Sequence, residues 1–242
     1  MVYNKHTPPE LRQRGASPPS GGACVLVQVN RTYVYIDGFN LYHRALRNTR
    51  YKWLNLKLLC QTMFPSPDYD LRYIRYFTAR VLNSPNDPGQ QSRQQIYIRA
   101  LRTLPDFEIH YGSFLQNRTR LPDASTPINP DGTWNLLDVL KSEEKGSDVN
   151  LTTYLLLDGF KDLYDTAVLI TNDSDFAGPI TVNKFDLGKR VEVFCPVRHA
   201  NSRLIRVADK CEVAWKSTIK NCQFLPIMAD KTGTFHKPPE WA

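Results

Sequence analysis

Short apolar runs alternate with amphipathic segments along most of the chain. Residues 32–36 are β-branched and aromatic and predict a strand. Residues 51–64 place Trp53, Leu56, Leu59, Cys60 and Met63 at helical spacing, and Pro65 stops that helix. The same reading predicts a strand over 71–81, a helix over 89–104 and a strand over 107–115. Residues 116–134 are polar, with Pro122, Pro127, Pro130 and an Asp131-Gly132 turn signal, which predicts an irregular insertion. A helix over 148–160, a fully buried strand over 167–171, a helix over 174–185 closed by Gly188, and strands over 190–194 and 211–215 complete the pattern. Strands alternating with helices imply βαβ units. The expected fold class is α/β, a three-layer α/β/α sandwich with a central, mainly parallel sheet.

The first 22 residues hold four prolines and three glycines without apolar periodicity, so residues 1–30 are expected to be a disordered or extended leader. Residues 31–216 form the expected domain, and 217–242 a C-terminal tail packed on it. Hydrophobic residues make up 41% of the 242, enough for one buried core. Lysine and arginine number 31 against 24 acidic residues, a formal +7 that favours a polyanionic partner. Five cysteines in no C-x-x-C pair point to a reducing, cytoplasmic setting. The five histidines form no H-E-x-x-H or Cys/His cluster, so a metal here is expected on oxygen ligands rather than as zinc. No apolar run approaches the ~20 residues that span a bilayer, so no membrane partner is expected. The oligomeric state is left open, a homodimer included.

In open α/β sheets ligands bind outside the carboxyl ends of the strands, where strand order reverses. Asp37 ends the first strand, Asp148 opens a helix, and Asp173 and Asp175 follow the strand that contains Val168 and Ile170. Any one of these acids could be a helix cap. Asp37, however, lies between an apolar strand and a glycine, which aims it at the crevice rather than at a helix amide. Several carboxylates meeting in one crevice repel one another unless a cation neutralises them. Oxygen ligation suits Mg²⁺ or Mn²⁺, and the natural reaction is phosphodiester hydrolysis by metal-activated water. No G-x-S-x-G, G-x-x-x-x-G-K-[ST] or G-x-G-x-x-G motif occurs, which removes the best support for nucleophilic-serine, P-loop and dinucleotide chemistry. A dehalogenase-type phosphatase fits poorly, because Asp37 does not begin a D-x-D pair.

Three ordered blocks carry a family resemblance: Tyr35-Ile36-Asp37-Gly38-Phe39-Asn40-Leu41-Tyr42, Glu144-Lys145-Gly146-Ser147-Asp148-Val149-Asn150-Leu151, and the stretch from Tyr164 to Phe176 that contains Thr171-Asn172-Asp173-Ser174-Asp175. With these the chain resembles NYN domain proteins of the PIN-like nuclease superfamily, in the LabA-like (DUF88) branch. The resemblance spans roughly residues 33–241. It implies a PIN-like fold and a Mg²⁺- or Mn²⁺-dependent ribonuclease, with Asp37, Asp148, Asp173 and Asp175 as metal-site carboxylates. Tyr154 stands where relatives often carry a further aspartate.

Asn40 is a candidate catalytic companion that bonds Asp37 or a bound water, Thr171 a candidate to orient a carboxylate, and Lys145 a candidate phosphate contact. Asp158 is read as a solvated or structural acid. Arg44, Arg47, Arg118, Arg120, Arg198 and His199 are further candidate substrate contacts, since backbone neutralisation supplies most non-specific nucleic-acid affinity. Tyr42, His43 and Trp134 are candidate stacking rings. The expected partner is RNA, with single-stranded DNA as a second polyanion. The competing reading is a PIN-like module that binds RNA or protein without turnover.

Overall fold

The computed structural model describes residues 30–84, 86–213 and 216–241. The expected leader lies outside them apart from Asn30, as do Ala214 and Trp215 of the last predicted strand. At the centre is β1 (Arg31–Asp37), whose Val34, Tyr35 and Ile36 are completely buried. Burial of consecutive residues means that both faces of the strand are covered, as in a parallel sheet between helical layers. β1 pairs in parallel with β2 (Asp70–Ala79) on one side and β5 (Thr166–Ile170) on the other. With β3 (Phe107–Pro122), β4 (Leu136–Lys145), β6 (Arg190–Cys195) and β7 (Lys210–Val213), the sheet order is β4-β3-β2-β1-β5-β6-β7. Only β4 runs antiparallel to its neighbour. Strand order reverses between β1 and β5, so the expected α/β sandwich and its crevice are both present.

Alternation along β1 and β5 sends side chains into two cores. Val34, Ile36, Val168 and Ile170 pack with residues of α2 (Leu56–Met63) and α3 (Gln90–Leu101). Tyr35 and Leu169 pack with residues of α4 (Ser147–Phe160) and α5 (Ala177–Phe185). After β1 the chain forms α1 (Gly38–Leu41), which runs into a π-helical turn over Tyr42–Leu46. α6 (Ser202–Val207), α7 (Lys216–Asn221) and the antiparallel β8 (Ile227–Asp230) and β9 (Gly233–His236) are short elements absent from the sequence reading. Among the described residues no helix is long and apolar enough to cross a membrane.

Two expectations change, and a third is decided between its alternatives. Residues 116–134 are irregular only in part: β3 continues to Pro122 and pairs with β4 from Ser113↔Lys145 to Pro122↔Leu136, forming a two-stranded arm whose tip, residues 123–135, is the irregular loop. Most of the arm is exposed, so no buried face imposes the alternation that would have revealed it. Residues 51–55 are not helical, because Leu54 bridges Gln223 and Asn55 caps α2 by accepting from the Leu58 amide at 3.0 Å. Asp158 is the structural acid of the two alternatives expected for it, not the solvated one. It is 2% exposed, accepts from Tyr35 Oη at 2.8 Å, and receives Arg75 Nε at 2.7 Å. Breaking such a buried pair by removing one partner typically costs ~3–5 kcal/mol, so Asp158 acts on stability.

Candidate active site at the carboxyl edge of the sheet

The acidic end of β1 depends on the glycine that follows it. A Cβ on Gly38 would lie 2.6 Å from the Phe77 carbonyl and 2.7 Å from the Tyr76 ring, so only glycine lets α1 start hard against β2. Asp37, 6% exposed, then serves two neighbours. Its Oδ1 accepts from the Asn40 amide at 2.9 Å, and its Oδ2 accepts from Thr171 Oγ1 at 2.9 Å. Asp37 therefore caps α1 as well as lining the crevice, where the sequence reading separated the two roles. Burial pushes its carboxyl up to about 6; the charges of Asp148 and Asp173 push the same way, while the two hydrogen bonds resist.

Asp148 sits in the first turn of α4, but the capping role there belongs to another acid. Glu144 Oε1 accepts from the Ser147 amide at 3.0 Å and from Ser147 Oγ at 2.6 Å. Asp148 is left facing the crevice, its carboxyl pushed up to about 6 by desolvation and by the charges of Asp173, Glu144 and Asp175. Asp173 accepts from the Asp175 amide at 3.0 Å, and its own amide donates to Thr171 Oγ1 at 3.1 Å. The Thr171 hydroxyl thus ties Asp37 to the Asp173 loop.

The crevice has a volume of about 350 Å³ and is lined by Asp37, Glu144, Asp148 and Asp173, with Arg44 and Arg47 on its wall. Asn40 lines it too, although its side-chain oxygen accepts from the Asn172 amide at 3.1 Å and the group that reaches Asp37 is its backbone amide. Asp175 is exposed and outside the lining, acting on Asp148 through its charge. Lys145 is also outside and pairs with Glu143 at 3.1 Å, because strand alternation turns 143 and 145 away from the face that carries Glu144. Arg118 and Arg120 lie out on the arm, where Arg120 pairs with Asp138 at 3.2 Å. Arg198 and His199 are exposed in the loop after β6, which Asn201 fastens to the Asn172 side chain at 2.8 Å. Tyr154 lies tilted against His110 at a 4.0 Å centroid distance and under Arg75.

The sequence reading missed Glu144 as a site acid, although it stands in a quoted block three residues before the helix start. Of the aromatic wall it named Tyr42 and His43 but missed Phe39 and Phe114. Phe39 lines the crevice, sits edge-on to Phe114 at 5.7 Å and stacks on His43 at 6.3 Å. Behind them is a second cavity of about 810 Å³.

Among the described residues no three acids, histidines or cysteines stand close enough together to form a ready-made metal cage. The donor set nevertheless fits a hard cation. Four carboxyls share one crevice, none of them ion-paired among the described residues, and two are pushed up by burial and mutual repulsion. Mg²⁺ usually keeps several waters and uses one or two carboxylates plus substrate phosphate, so a preformed cage is not required.

A family model for the NYN domain matches residues 31–214. The chain belongs to the NYN domain family. This agrees with the PIN-like nuclease superfamily; NYN domains are generally nucleases, so family membership supports a nuclease-like hydrolase class. A curated relative of this NYN protein, the 6-hydroxy-3-succinoylpyridine 3-monooxygenase of Pseudomonas putida (strain DSM 28022 / S16), is 31% identical over 236 residues, covering 87% of this chain and 75% of its own. A solved structure of a protein of unknown function from Vibrio parahaemolyticus RIMD 2210633 superposes with a TM-score of 0.51 at 18% identity, covering 78% of this chain and 96% of that one. That likeness concerns the fold alone.

Proposed function

We propose that this NYN protein is an endoribonuclease of the LabA-like branch that cuts RNA with Mg²⁺ or Mn²⁺, in a reducing cytoplasmic setting. The observation that carries the reading is the crevice at the β1/β5 reversal, where Asp37, Glu144, Asp148 and Asp173 face Arg44 and Arg47. Carboxyls with no ion-pair partner among the described residues call for a cation, and the arginines beside them suit a phosphate. Asp37, Asp148 and Asp173 would hold the ion, which when bound supplies an acidified water and charge neutralisation at phosphorus. Thr171 and the Asn40 amide fix both Asp37 oxygens, so that this carboxylate presents one orientation. Arg44 and Arg47 hold the non-bridging phosphate oxygens, and single-stranded DNA is a second candidate polyanion.

The test is cleavage of labelled RNA with Mn²⁺, Mg²⁺ or chelator, using wild type and Asp148→Asn. Expected are metal-dependent products ending in 5′-phosphate and 3′-hydroxyl, and a loss of two orders of magnitude or more in the variant with folding intact. Binding of RNA without cleavage in every metal would leave the non-catalytic module in its place. Products with a 2′,3′-cyclic phosphate would overturn the mechanism.

A second reading comes from the relative's printed activity, oxygenation of a succinoylpyridine, and the 810 Å³ aromatic cavity favours it by size. Loss of 6-hydroxy-3-succinoylpyridine on incubation with the protein and a reductant in air would support it.

A further inference from the structure

The larger cavity is built by elements that also build the crevice. One wall is α1 with its π-helical turn, giving Phe39, Tyr42 and Leu46; β2 gives Tyr76 and Thr78. The arm lines the cavity as well. Cross-strand pairing puts Phe114 with Glu144, Gln116 with Ser142 and Arg118 with Leu140 on a single face. The face that delivers Glu144 to the crevice therefore delivers Phe114, Gln116, Ser142 and Leu140 to the cavity. Phe39 and His43 line both spaces, which makes them a shared partition.

The lining chemistry differs sharply across that partition. The crevice is charged. The cavity is mostly apolar and aromatic, and its Asp87 and Glu240 are both paired with Arg93, leaving Lys52 as an added cation. Hydrogen-bonding capacity comes from Asn83, Ser84, Gln116 and Ser142, with Gln116 Nε2 donating to Ser142 Oγ at 3.0 Å. Aromatic walls with a few polar edges suit a flat, uncharged heteroaromatic ring, which stacks on its faces and bonds at its rim. A phosphate belongs on the Arg44 and Arg47 side, and a ring belongs on the Tyr42 and Phe114 side.

We infer that this cavity is a base-binding site, holding a nucleobase of the strand whose phosphate lies in the acidic crevice, an inference that rests on the nuclease function proposed above. Tyr42 is its exposed stacking ring, 37% accessible and edge-on to His43 at 5.3 Å.

The experiment uses the full chain in Mn²⁺, which the acidic crevice needs to accept a phosphate; mononucleotides carry no phosphodiester bond, so binding is read without turnover. AMP, UMP, ribose 5-phosphate and 6-hydroxy-3-succinoylpyridine are titrated calorimetrically onto wild type, Tyr42→Ala, Tyr42→Phe and Ser142→Trp, with melting curves confirming the fold of each. Expected is nucleotide binding at least tenfold tighter than ribose 5-phosphate. Tyr42→Ala should weaken it roughly 5- to 150-fold, as loss of one base–aromatic stack does; Tyr42→Phe should restore it, and Ser142→Trp should block it by filling the cavity. Equal affinity for nucleotides and ribose 5-phosphate would overturn the inference. So would nucleotide affinity unchanged in both Tyr42→Ala and Ser142→Trp, or binding of the pyridine alone. Cleavage of RNA by wild type alongside any of those results would retain the nuclease and discard the base site. Base-dependent binding without cleavage in Mn²⁺ would do the reverse.

Discussion

Asp37 combines three demands that pull against one another. It must be buried to end β1 at the sheet's centre, accept two hydrogen bonds to hold its orientation, and stand near other acids. A carboxyl moved from 3.8 to about 6 keeps its proton in the fold when the unfolded chain has lost it. Its contribution therefore favours the metal-free fold least above pH 6, and the deficit, about 3 kcal/mol at most, disappears as pH falls from 6 towards 4. Asp37→Asn should accordingly be more stable than wild type in chelator at pH 8 and similar to it at pH 4. Added Mn²⁺ should stabilise wild type and leave the variant nearly unchanged. Urea denaturation at several pH values measures this, and a wild-type advantage in chelator at pH 8 would contradict the account. At this scale the sequence was informative where residue type and position coincide, as with Asp37, Asp148, Asp173 and Thr171. It was silent on Glu144, whose selection over Lys145 depends on which face of β4 each residue occupies.

The arm is the element the sequence concealed most completely. β4 carries Leu136, Leu137 and Leu140 in exposed positions among Asp138, Lys141 and Glu143, so neither face is wholly apolar and no period of two stands out. The buried strands β1 and β5 were legible for the opposite reason, since continuous apolar runs survive only where both faces are covered. Gly112 marks the arm's root: a Cβ there would lie 2.4 Å from Glu144 Oε1 and 2.6 Å from the Lys145 carbonyl, contacts the crossing of the two strands forbids. The arm also separates two arginines that the sequence reading treated alike. Arg120 is ion-paired with Asp138, whereas Arg118 has no ion-pair partner among the described residues and shares a face with the cavity-lining Leu140. Arg118→Ala should weaken RNA binding across sequences and reduce the slope of log affinity against log salt by about one. Arg120→Ala should change that slope less, because its charge is already partly compensated. Titrations at four salt concentrations compare them, and equal slopes for both variants would show that the pairing has no bearing on binding.

Across the whole molecule, residues 222–241 return to the layer of α2 and α3 and close it over Trp53. That side chain is fully buried, donates from Nε1 to the Leu225 carbonyl at 2.9 Å, and meets the rings of Phe224, Phe235 and Trp241 at centroid distances of 5.7, 6.5 and 6.3 Å. Backbone bonds join the same segments, from the Phe224 amide to the Trp53 carbonyl at 3.0 Å and from the Asn55 amide to the Cys222 carbonyl at 2.8 Å. Arg99 adds a clasp, reaching Asp230 at 2.7 Å while lying over the Phe235 ring at 4.2 Å. Helical spacing marked Trp53 as a core residue, but nothing local marked what would cover it, because Phe224, Leu225, Phe235 and Trp241 lie far along the chain, and only Phe235 stands in a strand, the short β9. If this segment is part of the core, Trp53→Ala should cost ~3–5 kcal/mol, the range for removing a buried aromatic ring, and Trp53→Phe clearly less. A chain ending after Cys222 should lose stability comparably, since it strips the same ring of its cover and of its carbonyl acceptor. Both should lower the urea midpoint of a single cooperative transition. If the segment were a passive tail, the shortened chain would melt with wild type and only Trp53→Ala would fall, so the shortened chain decides between the two.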